Sequence, residues 1–396
     1  MKNFVFISPN FPSNYYNFCR ELKNNGLRVL GIGDCPYDNL SWELKDSLYE
    51  YYKVDSLENY DEVYRGVAFF CFKYGKIDFL ESNNEYWLIR DAMLRDDFNI
   101  NTSFHSKDMD CVKYKSKMKE KYKLAGVPTA RYYLVEDIEG CKKFIKEVGY
   151  PVVAKPDNGV GAEGTYKINN EDELKHFIKT KPNCTYIMEE FIDGTIVTYD
   201  AIVDSKGKPL FETGNVTTVS LLEVVNTLMD SAFYIRKELP NNLREIGRKT
   251  LKAFGVKSRF VHFEFFSLNS DQHIGKKNDI VALEVNMRPS GGISPTMMNY
   301  ANGVDVYKIW ADMIAFDRLT VEYNNKHHYC AFVGYRDGIK HKMSEKDIHK
   351  KYGNKLVMEG RVEDALSGAM GNYMYVANLD SEKELNAYYR DLLKIK

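Results

Sequence analysis

FVHFEFFSLNSDQHIGKKNDIVALEVNMRPSGG (residues 260–292) is the stretch that decides how this chain is read. Two apolar, alternating runs, 260–266 and 280–287, flank a polar segment, 269–279. That pattern predicts two strands joined by a long hairpin loop. Residues two apart on a strand face the same side, so Glu284 and Asn286 point the same way. If the strands pair, Glu264 shares that face. Two carboxylates and an amide oxygen would then converge inside a largely apolar sheet. Hard oxygen ligands of this kind suit a divalent cation that also holds phosphates, typically magnesium. Arg288 follows at the same parity, where a planar cation can meet a phosphate or a carboxylate. The competing reading is a solvent-facing acidic strand, which is common in antiparallel sheets. Against it stands the run Glu284-Val-Asn-Met-Arg-Pro-Ser-Gly-Gly292: a solvated face does not need an arginine and a glycine pair at the strand end.

Composition narrows the class. The 396 residues suffice for two or three domains with a sizeable core. Charge is balanced, with 55 basic and 56 acidic residues, so nothing draws the chain generally to nucleic acid or anionic lipid. Seven scattered cysteines, never spaced as CxxC, argue against a disulfide framework and a structural zinc site. The opening MKNFVFISPNF is too short and poorly built for a secretory leader, and no long apolar span follows. A cytoplasmic protein with no membrane or nucleic-acid partner is expected.

Along the chain, a buried-strand pattern at 3–8 leads through a Pro/Asn-rich turn to a helix at 14–25, and then to a strand at 27–33. Strand, helix and strand with short links predict a parallel βαβ unit. The segment SPNFPSN stands where a dinucleotide fingerprint would be, so a Rossmann dehydrogenase is disfavoured. A strand at 76–82 and a helix at 85–98 complete a first domain, 1–110. A helix at 111–125 stops at Ala125-Gly126-Val127-Pro128. Strands at 130–135, 150–155, 185–192 and 195–204, with helices at 137–148 and 170–180, build a second domain, 111–305, closed by the opening hairpin. A helix from 306, mixed strands and a final helix at 381–394 make a small α+β region, 306–396. The expected class is α/β and α+β multidomain.

Three more motifs bear chemistry. Lys155 ends an apolar strand and opens a loop with Gly159, Gly161 and Gly164. A half-buried lysine needs a partner, and glycines let backbone N–H groups approach phosphates. The lysine precedes the glycines, so this is not a P-loop. Residues 113–123 carry lysines two apart, which do not share a helical face, so most are expected to be solvated. Glu189, Glu190, Phe191 and Ile192 end a third apolar run in a way that fits an adenine slot with a carboxylate for ribose.

Taken in order, these pieces resemble the ATP-grasp superfamily, in particular its carboxylate–amine ligases, over roughly 110–305. The first domain, with ESNNEYWLIRDAMLR (81–95), resembles the N-terminal Rossmann-like domain that precedes ATP-grasp in ligases related to amino-acid ligases and carbamoyl-phosphate synthase. The resemblance implies a two-subdomain ATP-grasp domain with ATP held between the halves. It implies Lys115 as the first ATP lysine, with Lys117 as the competing alignment, because Tyr114-Lys115 replaces the usual Asp-Lys. Lys155 would be the second lysine, with a catalytic share, and Gly159, Gly161 and Gly164 the phosphate loop. Glu189, Glu190, Phe191 and Ile192 would be the adenine hinge. Glu264, Glu284 and Asn286 would ligate Mg2+ (Mn2+ as the alternative). Arg288 would be catalytic, and together with Ser290, Gly291 and Gly292 would hold the acyl substrate.

The implied reaction joins a small carboxylate, such as an amino acid, to an amine through an acylphosphate, releasing ADP and phosphate. Positioning and charge neutralisation dominate such chemistry, and no side-chain nucleophile is needed. A purine-biosynthetic or carboxyphosphate-forming ligase is the alternative within enzymes. A nucleotide-binding regulatory protein without turnover is the alternative outside them. A homodimer fits family habit. His262 reads as a packing residue, with a group supporting Glu264 or contacting the substrate as the alternatives, and 213–236 is expected to border the substrate pocket.

Overall fold

The computed structural model describes residues 1–159, 164–218, 229–323 and 327–396. The opening apolar run forms β1 (Asn3–Ile7), buried along its whole length. It pairs in parallel with β2 (Arg28–Gly33) on one side and with β4 (Phe79–Glu81) on the other, and β3 (Glu50–Lys53) lies outside β2. The order β3-β2-β1-β4 is that of an open parallel sheet, as the βαβ pattern predicts. The helix Tyr16–Asn24 turns off at Gly26, whose φ of 79° favours glycine. β3 and the helix Tyr60–Tyr74 were not foreseen. EYYK is a short, half-buried edge strand without an alternating signature, and the helix carries apolar residues on more than one face, Phe72 standing exposed.

A small antiparallel sheet follows, in the order β5 (Tyr132–Leu134), β8 (Tyr186–Glu190), β6 (Val152–Pro156) and β7 (Tyr166–Ile168). The helices Ile138–Val148 and Glu171–Thr180 pack against it through Cys141, Phe144, Leu174 and Phe177.

Among the described residues, the third sheet has nine strands. Its path is β14 (Ile280–Asn286), β13 (Arg259–Leu268), β9 (Gly194–Val203), β11 (Asn215–Thr217), β12 (Ser231–Ile235), β15 (Tyr329–Tyr335), β17 (Tyr373–Leu379) and β16 (Leu356–Arg361), with β10 (Pro209–Thr213) also on β9. All its pairings are antiparallel. The sheet runs through residue 305: β12 pairs with β15, so the hairpin strands and the last strands share one hydrogen-bonded surface. The helix Val306–Phe316 reaches back to the first sheet, where Trp310 packs edge-on to Phe4 at 5.5 Å and to Phe18 at 5.0 Å. Edge-to-face aromatic pairs of this kind add to area burial. Of the stretch 213–236, residues 219–228 lie outside those described.

Candidate active site

β13 and β14 pair, and the register sets Glu264 opposite Glu284 and His262 opposite Asn286. Parity in the sequence therefore becomes adjacency in space: the two carboxylates and the amide lie on one face at the end of the hairpin. Glu264 stays partly open, and its Oε1 lies 3.3 Å from His262 Nε2. The other nitrogen of that ring, Nδ1, lies 2.7 Å from Asp200 Oδ1 on β9. Burial pushes the His262 pKa down, but Asp200 and Glu264 outweigh burial and lift it to about 9. For Glu264, burial raises the carboxyl while His262, Arg288 and Lys155 lower it further, leaving it below the ordinary range. Glu284 is the opposite case: burial raises it, Lys115 only partly relieves this, and the facing Glu264 adds to it.

Lysines close the other side. Asp157, just past β6, accepts from Ser116 N and Ser116 Oγ, each at 2.7 Å, and its backbone carbonyl takes Lys115 N. It thereby caps the helix Lys115–Ala125, whose own N-cap residue Tyr114 provides no side-chain cap. Once docked, the helix presents Lys115 and Lys119, four residues apart, on one buried face. Lys115 Nζ reaches Gly159 O at 3.0 Å and Glu284 Oε1 at 3.5 Å. Lys117 points the other way, half exposed, and pairs with Glu120. Lys119 Nζ lies 2.5 Å from Glu189 Oε1, and Lys155 Nζ lies 2.7 Å from Glu189 Oε2. Burial raises the Glu189 carboxyl, but the two ammonium groups more than reverse this and hold it at about 2.

The other residues expected at the adenine hinge take separate places. Glu190 accepts from Arg131 N at 2.7 Å and Arg131 Nε at 2.8 Å, with His273 Nε2 at 3.2 Å. Phe191 is exposed under Lys167. Ile192 is buried against Ala130, Leu268 and Val281. Gly159 and Gly164 flank the phosphate-loop candidate, Gly164 at φ 68°; Gly161 lies outside the described residues.

Arg288 begins the turn beyond β14. It donates to Pro289 O at 2.8 Å and more weakly to Asn286 Oδ1 at 3.4 Å. Ser290 is buried, with its hydroxyl lacking a partner among the described residues. Gly291 stands in open space, while a side chain at Gly292 would meet the Met370 sulfur at 2.6 Å. The turn faces the loops beyond β1 and β4: Asn14 Nδ2 donates to Gly292 O at 3.1 Å, and Glu85 Oε2 lies 3.8 Å from Arg288 Nε. Sequence reasoning missed Lys119, Asp157, Glu85 and Lys113. Lys119 was visible in the four-residue spacing from Lys115. The others depend on contacts across 28 to 41 positions, which no local pattern carries.

The donor set fits a divalent cation held jointly with phosphates. Among the described residues no cluster of three or more His, Cys, Asp or Glu side chains is placed to hold a metal by itself. Two carboxylates and one amide oxygen leave the remaining oxygen positions for phosphate and water, as magnesium prefers.

Residues 148–297 match the family model described as the ATP-grasp domain. It is similar to the L-arginine-specific L-amino acid ligase of Bacillus subtilis, 25% identical over 235 residues, covering 56% of this chain and 53% of that protein. The chain thus spans about half the length of that curated relative. The crystal structure of an L-amino acid ligase from Bacillus licheniformis superposes with a TM-score of 0.73 at 14% identity, over 100% of this chain and 98% of that one. The biotin carboxylase domain of the Hydrogenobacter thermophilus 2-oxoglutarate carboxylase, solved with MgADP, ADP and bicarbonate, gives 0.68 at 16% identity, over 100% and 90%. At these identities the structural likenesses speak for the fold. No helix among the described residues is long and apolar enough to cross a membrane.

Proposed function

We propose that the chain is an ATP-dependent carboxylate–amine ligase. The observation that carries this reading is the convergence of Lys115 on Glu284 at 3.5 Å, with Glu264 directly opposite and Arg288 at the end of the same strand. A simple nucleotide-binding protein has no need of the carboxylate pair and the arginine together. In this reading Lys115, Lys119 and Lys155 bind the ATP phosphates, and Glu189 keeps two of those lysines aligned. Glu190, Phe191 and Ile192 border the adenine. Gly159, Gly161 and Gly164 belong to the loop over the phosphates. Glu264, Glu284 and Asn286 would hold magnesium, which neutralises phosphate charge when bound. Arg288, with Ser290, Gly291 and Gly292, receives the acyl substrate.

The reaction proceeds in two displacements. A carboxylate oxygen of the substrate attacks the γ-phosphorus, the bond to the β–γ bridging oxygen breaks, and ADP leaves. The amine lone pair then attacks the acyl carbon, the carbon–oxygen bond to phosphate breaks, and the amine gives up a proton. Arg288 and the lysines offset charge on the phosphoryl oxygens, which is the dominant contribution in phosphoryl transfer. The first domain (1–110) supplies loops to the substrate side, 111–305 the nucleotide site, and 306–396 the strands that extend the large sheet. ADP release with pools of carboxylic and amino acids, with hydroxylamine to trap the acylphosphate, tests the reading. Hydroxamate from one acid supports it. ATP binding without ADP release across broad pools would instead leave a nucleotide-binding protein without turnover.

A further inference from the structure

A cavity of about 770 Å³ opens where the parallel sheet meets the large antiparallel one. Its walls include the start of β1, the loop 101–104 and the C-terminal ends of two helices, Asn241–Phe254 and Val306–Phe316. None of the residues placed in the active site lines it. Four lysines do: Lys2, Lys121, Lys252 and Lys257. Among the described residues none of the four has a carboxylate within ion-pair distance, whereas Lys117 and Lys119, neighbours of Lys121 on the same helix, both do. The acids of the cavity are engaged elsewhere: Asp317 accepts from Ser205 N at 2.7 Å and Ser205 Oγ at 2.5 Å, and Asp108 from His105 N at 3.0 Å. Helix ends employ two of the lysines. Lys2 Nζ donates to Ala315 O at 3.0 Å, and Lys252 lies in the last turn of its helix, where a cation offsets the negative end. Among the described residues nothing comparable employs Lys121, which is half-buried, or Lys257. Phe79, Phe254 and Met313 give the cavity an apolar floor.

The backbone adds a second observation. Among the described residues seven that are not glycine have positive φ, and three of them line this one cavity: Ser103 at 61°, Ser258 at 47° and Asp317 at 56°. Such residues cost about 1–3 kcal/mol each and gather at ligand clamps and switch regions. Two of the three bear on Arg259. Ser258 precedes it in the chain, and Ser103 Oγ accepts from its Nη1. Arg259 Nε in turn holds the Met287 carbonyl at 2.5 Å, between Asn286 and Arg288. We propose that this cavity is an effector site for a small phosphomonoester with an apolar body, and that its occupancy reaches the active site through Arg259. Two uncommitted ammonium groups call for a dianion, and a phosphomonoester is close to one at neutral pH. The apolar floor takes the rest of the ligand. A ligand that shifts Ser103 or Ser258 shifts the bonds of Arg259, and with them the carbonyl beside Asn286. The link rests on reading 286–288 as part of the ligase site; the binding itself does not.

Calorimetry of phenyl phosphate binding to the full chain tests the proposal, with inorganic phosphate and benzoate as comparisons. Phenyl phosphate is expected to bind about tenfold tighter than either, since one lacks the ring and the other the second charge. Lys121→Glu combined with Lys257→Glu should weaken it about tenfold or more, while Lys119→Met, in the active site, should leave it within about twofold. Saturating ADP and magnesium should change its affinity by about threefold or more, and phenyl phosphate should change ADP affinity by the same factor. Arg259→Met should remove that coupling but not the binding, and the milder Ser103→Ala should shrink it. No binding, or binding that falls in Lys119→Met and not in the double variant, overturns the site. Inorganic phosphate or benzoate binding as tightly overturns the ligand class. An affinity indifferent to ADP and magnesium, or a coupling untouched in both Arg259→Met and Ser103→Ala, overturns the link. Every readout is of binding, so a chain that forms no hydroxamate removes the ligase reading and leaves the cavity to be judged on these titrations.

Discussion

Glu81→Gln tests how the parallel sheet is tied to β13, the strand that carries Glu264. Glu81, at the end of β4, is buried and shared by two guanidinium groups. Arg259 meets it with two parallel bonds of 2.8 Å, and Arg95 with one of 3.2 Å. Arg259 also donates through Nε to the Met287 carbonyl at 2.5 Å, between Asn286 and Arg288. Removing the carboxylate strands two buried cations, and breaking a buried pair in this way costs about 3–5 kcal/mol. One neighbour moderates the loss. Asp91 is held up at about 6, first by burial and then by Glu81, so without Glu81 it ionises more readily beside Arg95. We therefore expect the lower end, about 3 kcal/mol. At about 2 °C per kcal/mol for a large domain, the thermal midpoint at pH 7 falls by about 6 °C. Arg259→Met leaves Glu81 paired with Arg95 and orphans mainly the Met287 carbonyl, costing about 1–3 kcal/mol. Circular dichroism or a dye-based melt reads both variants. If Arg259→Met lowers the midpoint as far as Glu81→Gln does, the shared carboxylate is not the centre of the junction and the reasoning is refuted.

Three other outcomes are expected. The Asp91 carboxyl binds its proton more tightly folded than unfolded, so its contribution is fully present below about pH 4 and is lost as pH rises through about 6; Asp91→Asn should flatten the fall in thermal midpoint over that window, and an unchanged slope would assign it to other groups. Lys119→Met should cut ATP-dependent ADP release about tenfold or more while Lys117→Met stays within about twofold; equal losses would contradict the assignment of opposite helix faces. Glu284→Gln should raise the magnesium concentration for half-maximal turnover by about tenfold or more, and an unaltered magnesium titration would remove the trio from the metal site.

The part of this molecule legible in sequence is what strand parity and turn chemistry encode. Glu264, Glu284 and Asn286 share a face because alternation fixed it, and the register opposes the two glutamates as a hairpin of those two runs allows. The parallel βαβ start and most of the helix spans are local in the same sense. What escaped is set by distance in the chain. EYYK became a strand only because β2 offers an edge, and β12 joins β15 across roughly a hundred positions. Lysine spacing was read for neighbours two apart, although the face that matters recurs at four, uniting Lys115 with Lys119. Glu85 had no assigned place in ESNNE; only the fold sets its Oε2 3.8 Å from Arg288 Nε, across more than two hundred positions.

Under the proposed ligase reading, these contacts imply how the nucleotide would be admitted. Each cation of the phosphate side already has a carboxylate: Lys119 and Lys155 share Glu189, and Lys115 leans on Glu284. Buried charges need such partners, so the site folds without a ligand by neutralising itself. Glu189, held ionised near a pKa of about 2, cannot be relieved by protonation near neutral pH. In that reading, phosphates would therefore compete with it for two lysines, or share them. Lys115 is different: its 3.5 Å contact with Glu284 is loose, and Glu284, raised by burial and by the facing Glu264, is the carboxylate with most to gain from a divalent cation. Metal on Glu264 and Glu284 would free Lys115 for phosphate, so metal and nucleotide binding should be mutually reinforcing. Calorimetry of ATP binding with and without magnesium should show affinity rising with the metal in the wild-type chain. That gain should shrink in Glu284→Gln; if it persists at full size, Glu284 does not link the two ligands.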